Sequence, residues 1–567
     1  MQNEASGWFA AASMASLTVI AAAMAAAAEP SEGMEMMGKI EKAGRSEILA
    51  SRCGAALDGD PDACTGTDDR ATLQAAIELL HAGGGGTLVI DGVAALAGAL
   101  SVPSNIRIVG AHGRAGFCMK TNSGGCAIRN AHFVSGYNNG SPVADGSTII
   151  DHNITLESLF INGGNAVNSG NGRNGLQFDS AGQYVGTVRL YGTKNTTIRN
   201  VTILNSPAFS FHLANTFFLI ADGNRCYYSD CLAGKLPSRQ HAGFQCQGPM
   251  SNCLLLNSIM ATADDPIGLN ADDWCLLSDT GNHLKGPTAF GGAGGWTNVF
   301  RGPITDVMVD GLTSIYSMCA GRIFSGSGNI PGATTPSLVD RVTFRNVRGR
   351  FFEAAFHLQL QDLSTGHLGS ITLENWDIQR LGGHQHPLLF SDGNCKSLTI
   401  RNVKLRDLSG QTDQSITISG GSHGSLLIDG LDVYEDGNSA GSPLVKISGG
   451  TVTLLRVSNS SWIRAAGLTP GISANPFVLC KGAPTIGTIQ LNGIALDYVR
   501  NAVQFDASFS GTIGRVQADA VTHANSAGTD GIVRNDSAVT VPVRSGANVT
   551  SGSATQNTGK GSIQDLK

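Results

Sequence analysis

The sequence predicts an all-β protein, a parallel β-helix in which short strands stack coil upon coil. Three observations favour this fold class: segments rich in β-branched residues recur, a polar turn residue follows each one, and the 567 residues include 74 glycines. Such a composition is typical of many turns and short strands. A solenoid also grows by adding coils, so a long chain need not divide into separate domains.

The spacing of the turn residues gives the length of one repeat. Intervals of 29, 27 and 28 residues separate, in order, Asn346, Asn375, Asn402 and Gly430. A repeat of this length with short strands and no helix indicates a solenoid. Asparagine suits the turn because it tolerates left-handed backbone geometry, and stacked copies could hydrogen-bond in a ladder. A β-sandwich or a propeller is the alternative, but neither easily gives one similar strand every 28 residues or so.

One helix is predicted near the first coils, over residues 68–81. Leu73, Ile77 and Leu80 lie on an apolar stripe, and Asp68 or Asp69 can cap its start. This helix would cover the open end of the strand stack. We therefore divide the chain into an Ala-rich segment and linker (1–50), a β-helix (51–495) and an irregular C-terminal region with a polar tail (496–567).

The N-terminal segment leaves three alternatives open. Residues 17–28 form an apolar, Ala-rich run that ends in small residues, as a secretory signal does, but no Lys or Arg precedes it. The run is a signal with an atypical start, an anchor in a membrane or particle, or a helix that packs on partner chains. We expect an extracellular protein, with a virion tail as the alternative, and membrane contact only through this segment if it is uncleaved.

Charge and cysteine content limit the partners and cofactors. A formal net charge of −6 without a long basic run argues against a nucleic-acid partner. The even number of cysteines permits disulfides, the best candidate being Cys53–Cys64, although small buried thiols are the alternative. No CxxC pair has the spacing of a metal site, so we do not expect zinc. No EF-hand-like loop supports calcium, which clustered Asp oxygens leave as an alternative, and we expect neither a metal nor another cofactor. Two other pairs are close in sequence: Cys118/Cys126 and Cys226/Cys231.

An acidic cluster between residues 262 and 274 is the strongest functional signal. Asp264 and Asp265 precede a short apolar run, and Asp272, Asp273 and Trp274 follow it. Adjacent carboxylates repel each other, so a fold keeps them together for acid/base chemistry, for a cation or for a sugar. The alternatives are that the aspartates end turns and that the indole packs in the core rather than serving as a sugar platform.

Two segments resemble the pectate-lyase superfamily of β-helix proteins, which includes polygalacturonase-like glycoside hydrolases and many phage tailspikes. Residues 66–77 (GTDDRATLQAAI) and 83–88 (GGGGTL) resemble the opening of these proteins. Residues 200–207 (NVTILNSP) resemble the coil that precedes the active site of polygalacturonase-like enzymes. The resemblance implies a right-handed, pectin-lyase-like solenoid with an N-terminal capping helix and a polysaccharide substrate.

The resemblance also implies catalytic residues. Asp264 and Asp265 match an Asp-Asp element of these inverting hydrolases, in which Asp265 would be the general acid and Asp264 would help to activate water. The family's third aspartate falls on the segment around His241, which has none. His241 could replace it as a base, or Asp272 or Asp273 could supply the missing carboxylate.

Four further residues are candidates for substrate binding. Arg322 belongs to Arg322–Ile323–Phe324, which keeps the Arg and Ile of the family's Arg-Ile-Lys element but lacks the Lys. His283 ends Gly281–Asn282–His283, which loosely resembles the family's Gly-His-Gly element. Lys285 and Trp274 complete this set. Two alternatives stay open: Arg322 could pair with one of the aspartates instead of a sugar acid, and His283 could be a surface loop residue.

These features together predict a carbohydrate-active protein that binds a polysaccharide and hydrolyses it by carboxylate acid/base chemistry, with a lyase as a second mechanism. The alternative is a phage tailspike, or a non-catalytic adhesion protein, that uses the same groove to bind a receptor. In that case the two ends of the chain would mediate attachment or assembly of a homotrimer.

Overall fold

A computed structural model describes most of the chain from residue 46 onward. The described ranges are 46–133, 151–164, 186–235, 241–271, 302–325, 338–352, 355–358, 367–381, 389–391, 394–407, 416–435, 443–464, 476–497, 499, 501–524, 532–545 and 562–566. These residues form two compact units, one that ends at Ser229 and one that begins at Asp230. The N-terminal segment, and with it the predicted signal or anchor, lies outside the described residues.

The first unit consists of parallel strands around an apolar interior. Its longest pair aligns β11 with β13, from Gly186 opposite Phe209 to Arg199 opposite Asp222. Side chains that point inward, such as Val188, Phe211 and Leu213, are fully buried. The strands are β1 Glu47–Leu49, β2 Gly86–Ile90, β3 Val93–Leu96, β4 Leu100–Val102, β5 Ile106–Gly110, β6 Gly116–Met119, β7 Ile128–Asn130, β8 Asp151–His152, β9 Thr155–Glu157, β10 Phe160–Asn162, β11 Gly186–Arg199, β12 Thr202–Leu204, β13 Phe209–Asp222 and β14 Arg225–Tyr227.

The second unit repeats one pattern, a long strand followed by a short one. Long strands such as β23 and β25 pair in parallel along their whole length, from His367 opposite Asn394 to Arg380 opposite Asp407. The strands are β15 Ala242–Leu256, β16 Ile259–Ala261, β17 Ile267–Asn270, β18 Ile304–Asp310, β19 Thr313–Ser317, β20 Arg322–Phe324, β21 Leu338–Phe351, β22 Phe356–Leu358, β23 His367–Arg380, β24 Leu389–Ser391, β25 Asn394–Asp407, β26 Ile416–Ile418, β27 Ser422–Glu435, β28 Val445–Ile447, β29 Thr451–Arg464, β30 Val478–Cys480, β31 Thr485–Asp497, β32 Val503–Phe505, β33 Thr512–Ala524, β34 Val533–Asn535, β35 Val541–Ser545 and β36 Ile563–Asp565. The predicted fold class, a right-handed parallel β-helix, is confirmed.

The predicted asparagine turns are left-handed corners inside the long strands. Asn346, Asn375 and Asn402 have φ angles of 56°, 57° and 52°, and Gly430 takes the same place with 74°. A left-handed residue costs little for Asn and Gly, so the strand can bend sharply there without losing its pairing with the next coil.

Stacked corner residues also bond to one another, as the ladder hypothesis predicted. Asn402 Nδ2 donates to Asn375 Oδ1 at 3.2 Å, and Asn375 Nδ2 donates to Asn346 Oδ1 at 3.4 Å. A second row of left-handed corners includes Asp306 and Arg341, whose side chains form a two-bond ion pair at 2.6 and 2.7 Å. The corner rows therefore fix the register of the coils from outside, while the core fixes it from inside.

Helix α1 spans Arg70–Ala82, close to the predicted residues 68–81, and packs its buried face on the first strands. Its predicted cap differs in detail. The Asp68 carboxylate accepts from the backbone N–H of Arg70 at 3.2 Å. The Asp69 carboxylate instead accepts from Ala56 N and Leu57 N at 2.6 and 3.0 Å, so it ties the preceding 3₁₀ turn (Ala50–Cys53) and its following loop to the helix. A second helix, α2, is a single turn over Ser229–Leu232.

Regular coils extend past residue 495, where the sequence analysis placed an irregular region. Strand β33 pairs with β31 from Thr512 opposite Thr485 to Ala524 opposite Asp497. The corners here are Gly493 and Ala520, with φ angles of 64° and 50°. Gly493 matches the Asn-or-Gly pattern of the earlier corners, but Ala520 does not, so the sequence pattern does not mark the coil beyond residue 495.

The predicted disulfide between Cys53 and Cys64 is wrong, and the other two suggested pairs are also free thiols. Nine of the cysteines in the described residues are buried, as expected if thiols serve as small apolar side chains. Burial raises the pKa of Cys64 to about 11 and that of Cys118 to about 12. These thiols fill the core rather than cross-link it.

We expect Cys64, Cys118, Cys226 and Cys395 to resist alkylation by iodoacetamide at pH 8 in the native protein. Burial raises the pKa of the last two to about 12 as well, so very little reactive thiolate exists. In guanidinium chloride all four should react without a reducing agent. Peptide mass spectrometry checks both states, and a disulfide-linked peptide from Cys53 and Cys64 would contradict the structure.

Replacing Asn375 tests the corner row. Asn375→Ala should lower the free energy of unfolding by about 1–2 kcal/mol, because alanine pays the left-handed penalty and loses the ladder bonds. Asn375→Gly removes only the bonds and should cost less. Urea denaturation measures both variants, and an equal loss for the two would show that the backbone angle is not the source of the cost.

Candidate functional site

Asp264 and Asp265 lie immediately before the short strand β17, at the point where the chain enters the coil. Backbone bonds hold both in place: Asp264 N donates to His241 O at 3.1 Å, and Gly243 N donates to Asp265 O at 3.0 Å. Thr262 Oγ1 also donates to Asp264 O at 2.9 Å. The two aspartates therefore lie in a turn that backbone hydrogen bonds hold against the strands, which positions reactive groups better than a mobile loop does.

Asp265 is buried and forms an ion pair. Its Oδ2 lies 3.0 Å from Arg322 Nε, with exposed side-chain fractions of 7% for Asp265 and 19% for Arg322. The Cys319 thiol donates to Oδ1 at 3.1 Å. Arg322 therefore pairs with an aspartate, one of the two alternatives left open by the sequence. A guanidinium at this distance favours the ionised carboxylate.

The backbone of His241 lies beside the two aspartates. Its carbonyl accepts the bond from Asp264, and only 2% of the residue is exposed. The segment that follows it, β15, pairs with β17 in parallel, with Phe244 opposite Ile267. The structure therefore brings together four of the residues that the sequence singled out: His241, Asp264, Asp265 and Arg322.

A row of three polar residues and one glycine crosses the strands beside this ion pair. Gln245, Gly268, Arg322 and His357 occupy matching positions on four successive strands. A Cβ at Gly268 would lie 2.6 Å from Gln245 Oε1, so the glycine leaves room for the amide to lie across the strand. Gln245 and His357 are buried, with 7% and 6% exposed. Arg322 also lies over the ring of Phe324, at 5.3 Å.

The remaining site predictions fall on residues that the structure does not describe. These are Asp272, Asp273, Trp274, His283 and Lys285, and they stay predictions. Two participants were missed by the sequence analysis, Cys319 and Gln245. Neither belongs to a recognisable motif, and only the alignment of adjacent coils shows that they lie beside Asp265 or Arg322.

The first unit contains a separate buried polar cluster. Arg189 Nε donates to Tyr191 Oη at 3.1 Å, and Tyr191 Oη is hydrogen-bonded to His212 Nδ1. The Arg189 guanidinium lies 4.7 Å from the ring of Phe133, which stacks on Tyr191. This cluster supports the interior of its own unit by satisfying buried polar groups.

No group of three or more His, Cys, Asp or Glu side chains in the described ranges could hold a metal ion. None of the helices there is long and apolar enough to cross a membrane.

Comparison with known proteins finds likeness in structure only. No protein-family model and no curated protein matches the chain. Among solved structures, a mutant tailspike protein of E. coli bacteriophage HK620 in complex with a pentasaccharide matches with a TM-score of 0.50 and 11% identity, over 92% of this chain and 78% of that one. The family 28 exopolygalacturonase of Yersinia enterocolitica matches over the same shares, with a TM-score of 0.42 and 11% identity. The tailspike likeness shows the fold, a right-handed parallel β-helix.

The ion pair gives a stability prediction. Arg322→Met leaves the Asp265 carboxylate buried without its cation, which typically costs about 3–5 kcal/mol of unfolding free energy. The double variant Asp265→Asn with Arg322→Met removes both charges and should lose much less. Urea denaturation of the wild type, both single variants and the double variant gives the coupling energy. A double variant that is as unstable as the sum of the singles would contradict a direct ion pair.

Proposed function

We propose that this protein binds a polysaccharide and hydrolyses it at Asp264 and Asp265. The observation that carries the proposal is the pairing of two adjacent carboxylates in unequal environments. Asp265 is buried beside Arg322, whereas Asp264 is partly exposed in the same turn before β17. Glycoside hydrolysis requires two carboxyl groups in different protonation states, and different surroundings are what separate them.

The surroundings suggest a role for each carboxylate. The guanidinium of Arg322 and the thiol of Cys319 both stabilise negative charge on Asp265. An ionised carboxylate suits a base that activates water, or a group that stabilises positive charge on the sugar. Asp264 would then donate the proton to the leaving oxygen. This order is the reverse of the one that the family resemblance implies.

His241 is a third candidate in this proposal. Imidazole is a common general base in enzymes, and the His241 backbone is bonded to Asp264. It could relay a proton to or from Asp264, or act as the base if the sugar binds on its side. Arg322 serves as a positioning residue because it holds Asp265 in one orientation. A polysaccharide substrate also fits an extracellular location, and both that location and a trimeric assembly stay predictions.

Turnover of isolated variants tests the proposal. Release of new reducing ends is first screened with capsular, pectic and exopolysaccharides. On the substrate found, Asp264→Asn should lower kcat by about 10²- to 10⁴-fold, the usual contribution of a general acid or base. In the double variant Asp265→Asn with Arg322→Gln, kcat should fall by a similar factor while the protein stays folded.

Asp432→Asn is the matched control, because this exposed aspartate lies on a long strand outside the site. It should turn over substrate like the wild type. Full activity of Asp264→Asn and of the double variant would overturn the assignment. New unsaturated ends in place of hydrolysis products would show that the polysaccharide is cleaved by elimination and not by hydrolysis.

A further inference from the structure

A cleft separate from the aspartate site lies along one corner row of the second unit. It has a volume of about 590 Å³ and crosses four coils. Its walls are formed by Asn257, Ile259, Asp310, Gly311, Thr313, Asn346, Val347, Arg348, Asn375 and Asp377. Neighbouring strands in a sheet are about 4.8 Å apart, so four coils span roughly 14 Å, the length of a short oligosaccharide.

The walls of this corner cleft are built by register, coil after coil. On one side of the corner, Thr313, Arg348 and Asp377 occupy matching positions. On the other side, Asp310 is followed by Arg345 on the next coil. The corner asparagines run between the two sides, and their left-handed φ angles hold them in a row.

The charges of the corner cleft balance locally. Asp310 Oδ2 pairs with Arg345 Nη2 at 2.8 Å, and its Oδ1 accepts from Asn346 Nδ2 at 2.6 Å. Of the other two charged residues, Arg348 is cationic and Asp377 is anionic, and they are neighbours in register. The cleft therefore presents many hydrogen-bonding groups with no net charge to attract a polyanion.

We propose that the corner cleft is a binding site for a neutral oligosaccharide or for a neutral stretch of a polysaccharide. Sugar hydroxyls donate and accept at once, which suits walls that alternate between amides, carboxylates and a guanidinium. Arg348 has five N–H donors, and its bond from Nε to Thr313 Oγ1 at 3.0 Å engages one of them. Two carboxylate oxygens of Asp377 can accept from neighbouring hydroxyls of one ring.

Chemistry also argues against other ligands. An acidic glycan would be repelled by Asp310 and Asp377 as well as attracted by Arg348, so its charge would add no binding free energy. A peptide that binds in a groove usually needs apolar pockets, and the apolar contribution to these walls comes from Ile259 and Val347, of which Val347 is buried. A site of this kind would hold the polymer on the protein while another segment reaches the aspartates, which raises the effective concentration of substrate.

A glycan array tests the corner cleft with probes of both kinds: neutral gluco-, manno- and galacto-oligosaccharides, and acidic oligouronates. The test variant is Arg348→Ala with Asp377→Ala, which changes two exposed side chains. The matched control is Lys404→Ala with Asp432→Ala, an exposed pair of opposite charge. These two residues continue the row of Arg348 and Asp377 on the next two coils and lie outside the residues that line the cleft. Circular dichroism and thermal unfolding verify that both remain folded.

At least one neutral oligosaccharide should bind to the wild type, to the control and to Asp264→Asn, and should bind at least tenfold more weakly to the test variant. Binding of oligouronates alone, binding of no neutral probe, or equal binding by the test variant would overturn the proposal. The outcomes are independent of catalysis. If Asp264→Asn loses turnover and the test variant binds as the wild type does, the hydrolase proposal stands and the corner-cleft proposal fails. If Asp264→Asn keeps its turnover and the test variant loses binding, the corner-cleft proposal stands and the hydrolase proposal fails.

Discussion

The left-handed corner is the constraint on which the rest of the second unit depends. A long strand can serve two faces of a coil only if one residue bends it without breaking its parallel pairing. Asparagine and glycine meet this demand at Asn346, Asn375, Asn402 and Gly430, where every φ angle is positive. Once each coil bends at the same place, the next coil must stack in register. The register then determines which side chains point into the core and which point outward.

Register in turn creates the candidate site. Asp265 and Arg322 are far apart in sequence, and they meet because the strand that follows Asp265 pairs directly with the strand that begins at Arg322. Cys319 reaches the same carboxylate from the turn before that strand. A buried ion pair of this kind adds little net stability. Its value lies in holding one carboxylate ionised and oriented, while its neighbour Asp264 remains partly exposed.

Much of the fold could be predicted from the sequence, because repeats and corner asparagines are local signals. The coils beyond residue 495 were missed because the corner there is Ala520, a residue type that does not signal a turn. The cysteine prediction failed for a different reason: spacing in the sequence does not show whether a thiol faces the core. The placement of the candidate residues could be predicted in part, and their roles stay predictions. Two adjacent aspartates stand out in a sequence, whereas the contacts of Arg322 and Cys319 depend on which coils are neighbours.

The most direct test is a crystal structure of the Asp264→Asn variant with an oligosaccharide from the substrate that the wild-type protein cleaves. The proposed roles require a sugar ring whose glycosidic oxygen lies within hydrogen-bonding distance of residue 264, with Asp265 still paired to Arg322 and facing the anomeric carbon or its attacking water. An oligosaccharide bound elsewhere on the protein, with no sugar near this ion pair, would contradict catalysis at these carboxylates.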